Sequence, residues 1–171
     1  MDTEEEGKLL VSCCGGMKAN ISLPIKWEDA SSDYLAFTIN VKGLKGGHSG
    51  ADIHLQRANA NKLLGRVLFE ILNKFDIKVG SVNGGAMDNA ITRESEAVIL
   101  IREKDFDDIK ACISKKENEF ISEFKKSEDG ITVCFEKLNE KIEKCFSQDT
   151  AKKTASILML VPYGVLYMSC D

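Results

Sequence analysis

Proline and histidine are almost missing from this chain: two of each occur in 171 residues. With 13 glycines and 43% hydrophobic residues, so little proline excludes a low-complexity or collagen-like chain and leaves enough apolar surface for one folded domain. The two histidines, His48 and His54, do not stand at the i, i+4 spacing of a helical metal pair. Nor does any C-x-x-C occur among Cys13, Cys14, Cys112, Cys134, Cys145 and Cys170, so structural zinc is not expected. A long apolar run is missing too. The stretch 157–161 falls far short of the roughly 20 residues that cross a bilayer, and the acidic opening Met-Asp-Thr-Glu-Glu-Glu lacks the basic n-region of an export signal. A cytoplasmic product with reduced thiols is the expectation. An excess of positive charge is also lacking: 23 Lys and Arg against 27 Asp and Glu give a net charge of −4, which recommends neither nucleic acid nor an anionic membrane as partner.

What is present is periodicity. Residues 8–29 alternate loosely around Gly15-Gly16 and predict two short extended pieces. In 34–44 the alternation is sharper, with Leu35, Phe37, Ile39 and Val41 on one side of a half-buried strand. From Asn59 the period becomes helical through Leu63, Leu64, Val67, Leu68, Ile71, Leu72 and Phe75. A strand over 78–82 follows, then one over 96–102 that is apolar on both faces and therefore central. Asp105 is placed to cap a second helix striped by Phe106, Ile109, Ile113, Phe120 and Phe124, and a fourth strand covers 131–136. Strand–helix–strand–strand–helix–strand is the split βαβ, or ferredoxin-like, order. The expected fold is therefore α+β: a two-layer sandwich of a four-stranded antiparallel sheet with two helices on one face. Residues 139–162 add a C-terminal helix, and an extended exit follows Pro162-Tyr163-Gly164.

Two glycine-rich loops are the places where chemistry can sit. His48 lies in Gly46-Gly47-His48-Ser49-Gly50, where bare backbone lets a ligand approach and the imidazole projects; a plain surface turn carrying a histidine has the same sequence. Asn83-Gly84-Gly85-Ala86-Met87-Asp88-Asn89-Ala90-Ile91 is either a ligand-facing loop, with Asn89 offering donor and acceptor, or a wide hairpin. No G-x-S-x-G nucleophile elbow surrounds Ser49.

The segment Val41-Lys-Gly-Leu-Lys-Gly-Gly-His-Ser-Gly-Ala-Asp-Ile-His-Leu55, followed by Asn59-Ala-Asn-Lys-Leu-Leu64, resembles the lid of the aminoacyl-histidine dipeptidases of the M20 metallopeptidase family. Asn83-Gly-Gly-Ala-Met-Asp-Asn-Ala-Ile-Thr-Arg-Glu94 is similar to that family's second lid motif, in which proline usually stands at the place of Thr92. Glu4-Glu5-Glu6-Gly7 with Cys13-Cys14-Gly15-Gly16, and Pro162-Tyr-Gly-Val165 with Met168-Ser169, resemble the junctions to a catalytic domain.

The resemblance implies that residues 1–171 are a single lid, or dimerisation, domain, with 1–16 and 163–171 as junction segments and a chain start inside a longer protein. The implied parent is a cytosolic dipeptidase that hydrolyses Xaa-His dipeptides at two divalent metal ions, usually zinc. None of that metal is expected to bind tightly to this chain alone. Implied partners are the chain's own catalytic domain, the dipeptide and a second copy. By the same resemblance His48 is the oxyanion-stabilising histidine, Asn89 binds substrate, and Asp2 is a metal ligand. Many M20 lids use an arginine for the substrate carboxylate, and Arg102 on the third strand is the nearest positional candidate, whereas Tyr167 stands where related dipeptidases often carry an arginine. A non-catalytic ferredoxin-like interaction module, or the lid of another M20 hydrolase (aminoacylase, deacetylase or tripeptidase), is the alternative.

Overall fold

A computed structural model of the chain describes residues 6, 7, 9, 18–165 and 167. In chain order its elements are β1 (Trp27–Asp29), β2 (Leu35–Lys42), β3 (Gly47–His48), α1 (Ala60–Lys74), β4 (Lys78–Gly84), β5 (Ala90–Ile91) and β6 (Ser95–Ile101). Then come α2 (Phe106–Glu123), β7 (Thr132–Lys137), β8 (Lys144–Phe146) and α3 (Gln148–Leu160).

The alternation in β2 turns Phe37, Ile39 and Val41 into the core. There Phe37 stacks on Phe135 of β7 with ring centroids 4.9 Å apart and meets Phe106 of α2 at 5.3 Å. The four long strands form one antiparallel sheet in the order β4-β6-β2-β7, so the doubly apolar β6 is central, as its sequence requires. This is the ferredoxin-like topology, with α1 following β2 and α2 following β6. Asn59 caps α1 by accepting the N–H groups of Asn61 and Lys62 at 3.0 and 3.4 Å, and the helix buries Leu63, Leu64, Val67, Leu68, Ile71 and Leu72.

Two local expectations need correction. Asp105 holds the N-cap position of α2, yet its side chain makes no capping bond: residues Glu103–Asp105 already turn as a 3-10 helix and Asp105 sits in the αR region. Residues 139–162 are not helical throughout, because Lys144–Phe146 pair antiparallel with Trp27–Asp29 before α3 begins. That ribbon and the chain leading to it cross the sheet face opposite α1 and α2. They bury Ala36, Leu100 and Cys145 against Tyr34, Leu138 and Ile142, so one end of β2 is covered on both sides.

The C-terminal helix α3 packs on α1, where Gly65 faces Leu158. Beyond it, the Lys62 ammonium donates to the Val161 carbonyl at 2.7 Å and the Tyr163 hydroxyl to the Arg57 carbonyl at 2.5 Å. The segment leaving α3 is thereby tied to the one entering α1. No helix among the described residues is long and apolar enough to cross a membrane.

Candidate functional site

The two glycine-rich loops meet. After β2 the chain turns through Gly46 so that Gly47 and His48 pair with Ile91 and Ala90, a two-residue antiparallel ladder between β3 and β5. The Ser49 N–H donates to the Asn89 carbonyl at 2.8 Å. Further bonds fix the second loop to the first and to α1. Arg93 Nε donates to the Leu44 carbonyl at 3.2 Å, the Ala60 N–H to the Thr92 carbonyl at 2.9 Å, and the buried Ser95 hydroxyl to the Ala60 carbonyl at 2.8 Å. Thr92 also uses a hydroxyl that proline would lack, accepting from the Asn61 amide at 3.5 Å.

Within its turn the His48 ring is held by backbone. Its Nδ1 accepts the N–H groups of Gly50 at 3.1 Å and Ala51 at 3.0 Å. Both donors are amides, so Nδ1 carries the lone pair and the proton of the neutral ring sits on Nε2. The His48 N–H donates to the Asp52 carboxylate at 2.8 Å. Arg57 lies behind the turn, with Nη1 donating to the Gly46 carbonyl at 2.5 Å and standing 3.9 Å from the same Asp52 oxygen. His48 and Asn89 are both exposed, so an imidazole donor and a side-chain amide face solvent from adjoining loops.

Arg102 is not brought to them. The register pairs Leu35 with Ile101 and Val41 with Ser95, which puts Arg102 at the opposite end of β6, roughly 20 Å from the His48 ladder at about 3.3 Å per residue. There it pairs with Asp76 at 3.0 Å and lies over the Tyr34 ring at 5.4 Å. Tyr34 donates to Asp76 at 2.8 Å; that hydrogen bond, helped by the Arg102 charge and working against partial burial, holds the Asp76 carboxyl below its ordinary value. The cluster closes the far end of the sheet. Asp2 lies outside the described residues, as do Cys13, Cys14 and Cys170.

Among the described residues no group of three or more His, Cys, Asp or Glu could hold a metal ion, so these residues do not build a metal centre of their own. Cys112, Cys134 and Cys145 are free thiols, and burial pushes the Cys112 and Cys145 thiols up, which disfavours the nucleophilic thiolate. Sequence reasoning missed the residues that shape the His48 turn, Asp52 and Arg57. The available signal was an acid four positions beyond the histidine in a glycine-rich loop, a spacing that lets it cap the histidine's backbone N–H.

Comparison with known proteins gives the family. The model for the M20 peptidase dimerisation domain matches residues 39–128, which include both loops. The cytosol non-specific dipeptidase of Escherichia coli (strain K12) is 33% identical over 169 residues, 96% of this chain and 34% of that protein. The structure of aminoacylhistidine dipeptidase from Vibrio alginolyticus superposes with a TM-score of 0.82 at 29% identity, covering 86% of this chain and 30% of the other. The chain thus spans about a third of the length of these relatives. With its split βαβ sheet and with the matched segment running from β2 to the turn after α2, the chain belongs to the M20 peptidase dimerisation-domain family.

Proposed function

We propose that this chain is the lid of a cytosolic metal-dependent dipeptidase acting on Xaa-His dipeptides, and that it supplies His48 as an oxyanion donor to a site completed by a catalytic domain. The observation that carries the proposal is the state of the His48 ring. Two backbone amides occupy Nδ1, so the ring presents an Nε2–H donor from an exposed turn. Such a donor stabilises the negative charge that develops on a peptide carbonyl oxygen during attack, and because backbone fixes the ring, no reorganisation is needed at that moment. Asn89, held beside it by the β3–β5 ladder, would orient the dipeptide through its amide. The two metal ions, zinc in this proposal, would supply the activated water and would be bound by the catalytic domain, with Asp2 contributing one ligand. Residues 1–16 and 163–171 would be the junctions to that domain, and a second copy of the chain would be a partner. Arg102 stays outside the proposal, since Asp76 occupies its guanidinium at the far end of the sheet.

The test has two stages. The 171-residue chain should not turn over β-alanyl-histidine or glycyl-histidine with or without zinc or manganese; metal-dependent turnover that survives repurification would overturn the lid reading. In the full-length enzyme, His48→Ala should lower kcat about 10²- to 10³-fold, the loss typical of one oxyanion donor, with KM changed far less. A kcat within about threefold of wild type would remove His48 from the reaction.

A further inference from the structure

Glu128 is a buried carboxylate, 5% exposed, with no ion-pair partner among the described residues. Its two oxygens are instead used one each. Oε2 accepts the Lys45 N–H at 2.9 Å and Oε1 accepts the Ala58 N–H at 3.0 Å. Lys45 and Ala58 are the two ends of the loop that carries His48, so one side chain from the turn after α2 closes that loop at its base.

The surrounding packing holds Glu128 in register. Gly43, with φ at +81°, crosses Gly130 so closely that a Cβ on Gly43 would stand 2.9 Å from the Gly130 carbonyl carbon, and Lys45 Nζ pairs with Asp129 at 3.1 Å. From the two pinned ends the path to the ring is short. Ala58 is followed backwards by Arg57, whose guanidinium returns to the Gly46 carbonyl next to the other end, and between them stands His48 with Asp52 under its N–H. A carboxylate is the side chain this junction requires. Two N–H donors converge on it, that of Ala58 buried and that of Lys45 part-buried; they approach different oxygens, an amide offers a single acceptor oxygen, and an orphaned buried donor is costly.

We propose that Glu128 is a positioning residue for His48: by accepting from both ends of the loop it sets the turn in which Gly50 and Ala51 hold Nδ1. This rests on the reading of His48 given above, but its test does not pass through activity. In the 171-residue chain, amide hydrogen exchange would be followed at Lys45 and Ala58, and the His48 ring nitrogens by long-range 15N spectra. Glu128→Gln should speed exchange at one of the two amides about tenfold or more, and Glu128→Ala at both. In each variant the ring should move from the Nε2–H tautomer toward an average of the two, while the Leu68 and Ile99 amides stay within about twofold.

Three results overturn the proposal. Loop amides unchanged in both variants would mean that Glu128 does not close the loop. Faster loop amides with an unchanged ring would make Glu128 structural only. Core amides accelerating in step with the loop in both variants would mean that it holds the whole fold. An active His48→Ala enzyme would refute the catalytic reading while leaving these spectra intact, so the two failures are separable.

Discussion

His48 and Asp52 bond each other twice across one turn: the Asp52 carboxylate accepts the His48 N–H at 2.8 Å, and the Asp52 N–H donates to the His48 carbonyl at 3.0 Å. The reciprocal pair closes the five-residue turn around the imidazole, and Arg57 stands 3.9 Å from the same carboxylate. Backbone amides hold Nδ1 itself, with no side chain bonded to it among the described residues, while the Asp52 carboxylate closes the turn that carries them.

Removing the Asp52 carboxylate should loosen the turn more than the fold. The group is about one-third exposed, so Asp52→Ala should cost the 171-residue chain no more than about 1 kcal/mol in a denaturant melt. In the full-length enzyme of the proposal the same change should lower kcat about tenfold, because small displacements of a donor are expensive at a reacting centre. Asp52→Asn keeps an acceptor oxygen for the His48 N–H and should recover most of that loss. Equal defects in the alanine and asparagine variants would show that the charge near Arg57, rather than the turn, is what matters.

Much of this fold was legible because each long element repeats its pattern several times. The period-two run through Phe37, Ile39 and Val41 and the helical stripe from Leu63 to Leu72 each specify a face, and together with the strand order they specify the sheet. The pairing of β1 with β8 was not legible, since three-residue strands have no period to read, and the sequence over 139–162 predicts helix where Lys144–Phe146 form a strand. At the site, Gly46-Gly47-His48-Ser49-Gly50 and Asn89 stood out as motifs, but nothing in either loop alone indicated that β3 would pair with β5. Strand position alone does not say which end of β6 lies near His48, and the register sets Arg102 at the far end. Glu128 carried no signal either: before Asp129-Gly130 it reads as one more polar turn residue, and only its burial shows otherwise.

The acid limb of stability should run in part through Glu70. On the surface of α1 it takes Lys74 of the same helix at 2.5 Å and Lys116 of α2 at 3.0 Å. The Lys74 hydrogen bond first, then that from Lys116, hold its carboxyl below the ordinary 4.5 despite partial burial. A carboxyl depressed in the folded state contributes stability above its unfolded value, and that contribution is lost as pH falls through the folded value. Glu70→Gln should therefore cost about 0.5–1 kcal/mol at pH 7 and progressively less as the pH drops below 4.5, so the melting curves of the two proteins converge in acid. Asp76 and Glu119 are depressed as well, so the difference between variant and wild type, not the acid limb itself, reports on Glu70. A constant difference from pH 7 down to pH 3 would show that the lysine contacts carry none of it.

Gly65 decides how closely α3 lies on α1. In an exposed helix interior, alanine in place of glycine is worth about 1 kcal/mol of added stability. Here the new Cβ would stand 2.6 Å from Leu158 Cβ and 2.9 Å from the Met159 nitrogen, so the backbone of α3 must move, which side-chain adjustment alone cannot relieve. The clash outweighs the propensity gain, and Gly65→Ala should destabilise the chain by about 1–2 kcal/mol, read as a lowered midpoint in urea with an unchanged slope. Leu158→Ala leaves its own Cβ in place, so adding it should recover only a small part of the loss. The shift of α3 should also reach the site, because the bonds from Lys62 to Val161 and from Tyr163 to the Arg57 carbonyl lie directly beyond that contact. Exchange at the Arg57 and Ala58 amides should then rise in Gly65→Ala while the amides of β6 stay protected. A Gly65→Ala chain as stable as wild type would mean that the two helices separate without cost, and α3 would be an appended element with no hold on the His48 loop.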